Sequence, residues 1–309
     1  MQRRPGGSKL ARDGPGAPVK LILLLVGAAI TAAAQLNGVI DIHAHTDPDS
    51  IPRSIDAIDL AKLAKARGMR GLVLKNHYES TASLAYIVRK EVPGIEIFGG
   101  IDLNRSVGGV NPAAIERMVM VKGGWGRVVW LPTFDSENQV KFSKENRPYV
   151  PVSRNGELLP ETKQVIALAA KNHLMLETGH SSAAEGLMIV REAKRQGVEH
   201  IVVTHAMLAP VRMTIAQMRE AAGLGAYIEF VYNGLTGKGK EYSMTDYAKA
   251  IREIGPTSCI LSSDMGQVGN PLHPDGLIAF FAGLRKTGIS QADIDLMSQT
   301  NPAKALGLN

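Results

Sequence analysis

The chain has 309 residues, 45% of them hydrophobic, with 35 Lys and Arg against 29 Asp and Glu and a single cysteine. That length buries a full α/β core. One cysteine excludes an intramolecular disulfide and a Cys-based zinc motif. The formal charge of +6 is concentrated in Arg3, Arg4, Lys9, Arg12 and Lys20 against Asp13, leaving too little elsewhere to argue for nucleic acid.

In chain order, residues 1–34 read as a leader. A basic, Gly/Pro-rich stretch runs to Lys20, an apolar segment covers Leu21–Ile30, and Thr31-Ala32-Ala33-Ala34-Gln35 has the small residues of a cleavage site. The apolar segment is shorter than the ~20 residues of a membrane span. The expectation is a signal peptide cleaved after Ala34, with export to the periplasm or beyond. The alternative is an anchor through residues 21–36, the only route to a membrane; residues 35–309 then form one domain.

From Val39 onward, short apolar runs alternate with amphipathic stretches, the pattern of repeated βα units around a parallel sheet. The runs are Val39–His45, Gly71–His77, Ile95–Asn104, Arg127–Thr133, Leu174–His180, His200–His205, Ala226–Tyr232 and Cys259–Asp264. Eight of them predict an α/β fold closed as a (β/α)8 TIM barrel. Ser54 should start the first helix and Gly68 end it, and Ser182-x-x-Glu185 and Thr214-x-x-Gln217 read as capping boxes. The polar, Pro-containing Asp135–Pro160 is too long for a simple βα turn and should cross the barrel mouth.

Chemistry gathers where these strands end. Alternation puts Asp41, His43 and His45 on one face, so two imidazoles converge from the end of the first strand, as a divalent metal requires. Further along stand Lys75 and His77, Asn104, Thr133, Glu177 and His180, His205, Glu229 and Asp264. A barrel carries all these ends to one face. Singly, Lys75 could snorkel, Glu177 could cap the next helix and His180 could bond a loop carbonyl. His205 and Asp264 each close an apolar run, and an unpaired buried carboxylate is costly. His173 and His200 belong to the opposite rim, His273 reads as an exposed loop residue, and Cys259 as a packed core thiol.

Taken together, His43-x-His45, His180 or Glu177, Thr204-His205 and Ser262-Ser263-Asp264 resemble, in order, the pattern of the amidohydrolase superfamily of metal-dependent hydrolases. Asn301-Pro302-Ala303 resembles its C-terminal helix start, so the resemblance spans residues 39–308. It implies one or two divalent ions, zinc first and manganese or iron next, held by His43, His45, Glu177 or His180, His205 and Asp264. It also implies hydrolysis of a small-molecule amide, ester, lactone or phosphoester by a metal-activated water, with Asp264 moving the proton. Strand four lacks the usual bridging lysine or glutamate. Lys75, as a carbamate, or Glu177 could take that place, or Lys75 could stabilise an oxyanion, with His77 binding substrate.

The opening His-x-His, Lys75-Asn76-His77 and Pro93-Gly94-Ile95-Glu96 also resemble the polymerase-and-histidinol-phosphatase group, a phosphoesterase alternative. Asn76 stands where that group has an aspartate, and Asp264 lacks the following Ala-His. A metal- or ligand-binding barrel without catalysis is the reading from another class, and Asp264 argues against it. Gly234–Lys240 nearly spells a phosphate loop, but Glu241 replaces the hydroxyl that would reach magnesium. A small-molecule substrate is the expected partner, and self-association is open.

Overall fold

Eight parallel strands pair in chain order in the computed structural model, which describes residues 36–308. They are β1 (Ile40–His45), β2 (Gly71–Lys75), β3 (Glu96–Asp102), β4 (Gly126–Trp130), β5 (Met175–Glu177), β6 (Ile201–Val203), β7 (Tyr227–Val231) and β8 (Cys259–Ser262). Seven fall inside the apolar runs, and β4 starts one residue before its run, at Gly126. Strands buried on both faces lose alternation and become continuous apolar runs, which is why these stretches are legible. Just beyond β8, the Asp264 amide donates to the His43 carbonyl at 2.9 Å and the His45 amide to Met265 at 3.0 Å, closing the ring as a (β/α)8 barrel. The predicted leader lies outside the described residues. No helix among the described residues is long and apolar enough to cross a membrane.

Side chains sort by height inside the barrel. Ile40, Ile42, Val73, Phe98, Val128 and Trp130 belong to an interior apolar cluster that Ala303, Ala305 and Leu306 of the C-terminal helix also join. Asn301 pins that helix by donating to the carbonyls of Pro256 and Cys259 at 2.9 and 2.7 Å. Two residues further along the strands the alternation brings in polar groups: Lys75 after Val73, Glu177 after Met175, Ser262 after Ile260.

Strand β1 departs from the expected alternation. Asp41 pairs with Leu72 and Ala44 with Leu74, so β1 carries one extra residue between them. Such a bulge changes which face the following residues take. Ile40 and Ile42 stay in the interior cluster while Ala44 packs outside with the helices. His43 and His45 therefore do not share a face with Asp41, whose Oδ1 accepts from the Ser263 amide at 3.0 Å.

Two further expectations need correcting. The first helix, Ala57–Ala66, is capped by Asp56, which accepts from the Ile58 and Asp59 amides; Ser54 is not the cap. His273 is fully buried at the start of helix His273–Lys286. Both capping boxes form as expected. Asp135–Pro160 holds a short helix, Glu137–Phe142, and a two-stranded hairpin, and it reaches the mouth, where Ser136 Oγ donates to the His180 carbonyl at 3.2 Å.

Candidate metal centre

His43 and His45 enter from β1 with their outer nitrogens already engaged. His45 Nδ1 lies 2.9 Å from the Lys75 carbonyl. A carbonyl only accepts, so that nitrogen carries the proton and Nε2 presents a lone pair. That lone pair is 3.1 Å from Asp264 Oδ1. Burial holds the imidazole well below its usual range, so His45 is neutral. Two acceptors then face each other, an arrangement that a cation between them would relieve.

His43 stands between two carboxylates. Its Nδ1 is 3.1 Å from Glu229 Oε1 and its Nε2 is 3.3 Å from Asp264 Oδ1. Burial opposes a charge on this ring, yet Asp264 and Glu229 overcome it and push its pKa up to about 9. The site draws in positive charge. His43, His45 and Asp264 each offer a ligand atom, all within 4.8 Å of one another. Neutral imidazole and carboxylate suit zinc, manganese or iron.

Burial also works on the carboxylates, but the neighbours win. Asp264 is held well below the ordinary carboxylate range, with burial outweighed by His43 and His45. Its Oδ2 accepts from Asn233 Nδ2 at 3.1 Å. Glu229 is also lowered, burial being overcome chiefly by His43. It accepts from the His205 amide at 2.8 Å and from Ser262 Oγ at 2.5 Å.

His180 and His205 form the adjoining wall, their Nε2 atoms 3.1 Å apart. His180 Nδ1 is 2.8 Å from Gln139 Oε1, so its Nε2 too is a lone pair turned inward. His205 Nδ1 has no hydrogen bond. The rings of His43 and His205 stack at 6.0 Å, which makes the two histidine pairs one continuous surface.

Glu177 stands apart. Its Oε2 accepts from Thr204 Oγ1 at 2.8 Å, Oε1 has no partner, and burial with the Glu229 charge pushes its carboxyl up to about 8. Gly179 follows with φ +60, and a Cβ there would lie 2.1 Å from the Leu131 carbonyl. This turn gives Glu177 and His180 different neighbours.

Lys75 is fully buried, with Nζ 3.3 Å from Asp102 Oδ2 and 5.3 Å from the centre of the Trp130 ring. Asp102 Oδ2 is also 3.1 Å from His77 Nδ1, which Thr133 Oγ1 shares at 2.9 Å. His77 stacks on Phe134 at 3.9 Å and sits 4.8 Å from the His45 ring. Asp102 and Gln139 carry no motif in the sequence, where Glu229 reads only as a strand-end polar residue. Asp102 lies at even spacing from interior Phe98, a signal that could have placed it.

The fold is shared with enzymes of known structure. An amidohydrolase from Pseudomonas aeruginosa superposes with TM-score 0.59 at 14% identity over 90% of this chain and 98% of its own. A mutant of organophosphorus hydrolase from Deinococcus radiodurans gives 0.57 at 17%, over 89% and 95%. A 2,6-dihydroxybenzoate decarboxylase from Rhizobium gives 0.54 at 13%, over 88% and 99%. No curated protein matched. A family model matches residues 38–229, a segment that holds every candidate site residue before Asp264. The chain belongs to that family, DUF6282, a family of unknown function.

Proposed function

We propose that this barrel is a metal-dependent hydrolase acting on a small-molecule amide, ester, lactone or phosphoester. The observation that carries the reading is the pair of contacts at Asp264 Oδ1, where two imidazole nitrogens point at one carboxylate oxygen from 3.1 and 3.3 Å. A divalent ion held there would lower the pKa of a water toward neutrality and polarise a carbonyl or phosphoryl oxygen.

The chain's own residues do the rest. His43, His45 and Asp264 are the ligands, and Glu229 and the Lys75 carbonyl orient the two imidazoles. Asp264 takes the proton of the attacking water and returns it to the leaving group, with Asn233 fixing the carboxylate's orientation. His180 and His205 line the adjoining space and hold a second ion or the substrate. Lys75 works as an ammonium, because a carbamate there would set an anion against Asp102. His77, its Nδ1 bound to Asp102 and Thr133, turns its other nitrogen to substrate.

Elemental analysis tests the reading. Purified protein should carry close to one or two zinc, manganese or iron ions per chain, and His43→Ala combined with His45→Ala should abolish them. Failure to take up any of the three metals after reconstitution ends the proposal. A panel of amide, lactone and phosphoester substrates then assigns the bond. The Rhizobium decarboxylase shares this fold, so CO2 release from aromatic acids belongs in the same panel.

A further inference from the structure

Arg53 is nine-tenths buried on the loop after β1. Its Nε and Nη2 both reach a single oxygen, Asp49 Oδ2, at 2.7 and 2.6 Å. Nη2 has no well-aligned hydrogen bond, and Nη1 has none among the described residues. A guanidinium offers five donors in a planar fork. Asp49 takes the Nε–Nη2 edge of this fork, and the Nη1 edge has no hydrogen-bond partner among the described residues.

The loop is fastened beside the metal ligands from both sides. Arg53 bridges Gln267, and the Ser54 amide donates to Gly266 at 2.9 Å. Gln267 Nε2 in turn donates to the Asp264 carbonyl at 2.8 Å. Gly266 has φ +120, and a Cβ there would come within 2.2 Å of the His45 carbonyl, so the segment lies directly against β1. The charge of Arg53 adds to burial in depressing His45 and His77.

We propose that Arg53 is the anion-binding residue of this site, and that the substrate handled at His43, His45 and Asp264 carries a carboxylate. The proposal rests on the reading of those three residues as a reaction centre. Asp49 already offsets part of the cation and holds it in one orientation, so a planar monoanion matches the free donors better than a phosphate dianion.

N-Acetylglycine and its neutral analogue N-acetylglycinamide separate charge recognition from shape. Their affinities are compared by saturation-transfer NMR on zinc-loaded and on chelator-treated protein, for wild type, Arg53→Gln and Asp49→Asn. The acid should bind wild type at least about tenfold more tightly than the amide. The preference should vanish in Arg53→Gln with zinc per chain unchanged, and should increase in Asp49→Asn, which frees the guanidinium. A ratio near one in wild type, or one that survives in Arg53→Gln, overturns the proposal. If Arg53→Gln does not fold, Asp49→Asn decides, and a ratio that fails to rise overturns it. An Arg53-dependent preference in protein that takes up none of zinc, manganese or iron would sink the hydrolase reading and leave Arg53 as a carboxylate site without a reaction beside it.

Discussion

Glu177 makes the electrostatics of the barrel measurable without a substrate. Its carboxyl is fully buried with one oxygen unpartnered, and burial together with the Glu229 charge pushes it up to about 8. In the unfolded chain it titrates near 4.5. A group whose folded value is the higher one contributes its full stability below the unfolded value. That contribution is lost as pH rises toward the folded value, because the folded protein must keep a proton that the unfolded chain releases. Applied to these two values, the relation gives a loss of ~2–3 kcal/mol between about pH 5 and pH 7. Glu177→Gln removes the proton requirement while keeping an acceptor for Thr204. Its buried amide N–H adds a cost of ~1–3 kcal/mol that does not vary with pH. The slope is therefore the test. Urea unfolding of chelator-treated wild type and variant at several pH values should show wild type losing ~2–3 kcal/mol relative to the variant across that interval. Parallel pH dependences would mean that Glu177 is ionised in the fold and that the burial argument is wrong.

Asp264→Asn should keep the fold and most of the metal, since the amide is isosteric, yet cut turnover by ~10²–10⁴-fold; undiminished turnover would move the base to His77 or Glu177. Asp102→Ala leaves the Lys75 ammonium buried and unpaired, and should cost ~3–5 kcal/mol in urea unfolding. Adding Lys75→Met should recover much of that loss, and an inert single variant would show that the ion pair is not formed. Protein recovered from its native host should begin at or near Gln35 by N-terminal sequencing, whereas an intact Met1 on soluble protein would reject the leader.

How legible the molecule was in its sequence follows from which forces are periodic. Eight buried parallel strands and the two capping boxes rest on local pattern, and all were placed correctly, within a few residues at the strand ends. The thiol of Cys259, which burial pushes up to about 12, is a packed core group as read. What escaped depends on contacts distant in sequence. Asp56 rather than Ser54 starts the first helix because both residues are plausible caps and tertiary packing chooses between them. His273 looks like a loop residue, yet its helix packs it behind His45 and Met265. Asp102 sits in a strand that reads as core, and only its neighbours Lys75 and His77 give it meaning. Arg53 is one arginine among many until the loop folds against Gly266.

The grouping of His43, His45 and Asp264 also depends on backbone that a regular strand would not supply. Strict alternation in β1 would carry Ile42 and Ala44 inward together and turn His43 and His45 toward the helices; the bulge reverses this after Ile42. At the far end, Asp264 has φ +49 and His205 has φ +24, conformations that side-chain-bearing residues adopt at a cost of ~1–3 kcal/mol. The turn at Asp264 lets its own amide bond the His43 carbonyl while its carboxylate swings across both imidazoles. The turn at His205 sets its amide on Glu229, the same carboxylate that holds His43. The turns at Asp264 and His205 each tie two strands of the site together through a backbone amide. Strain of this kind persists only where surrounding packing over-determines it, and here the dense barrel supplies that packing while the strained residues are the ones on which the proposed chemistry rests.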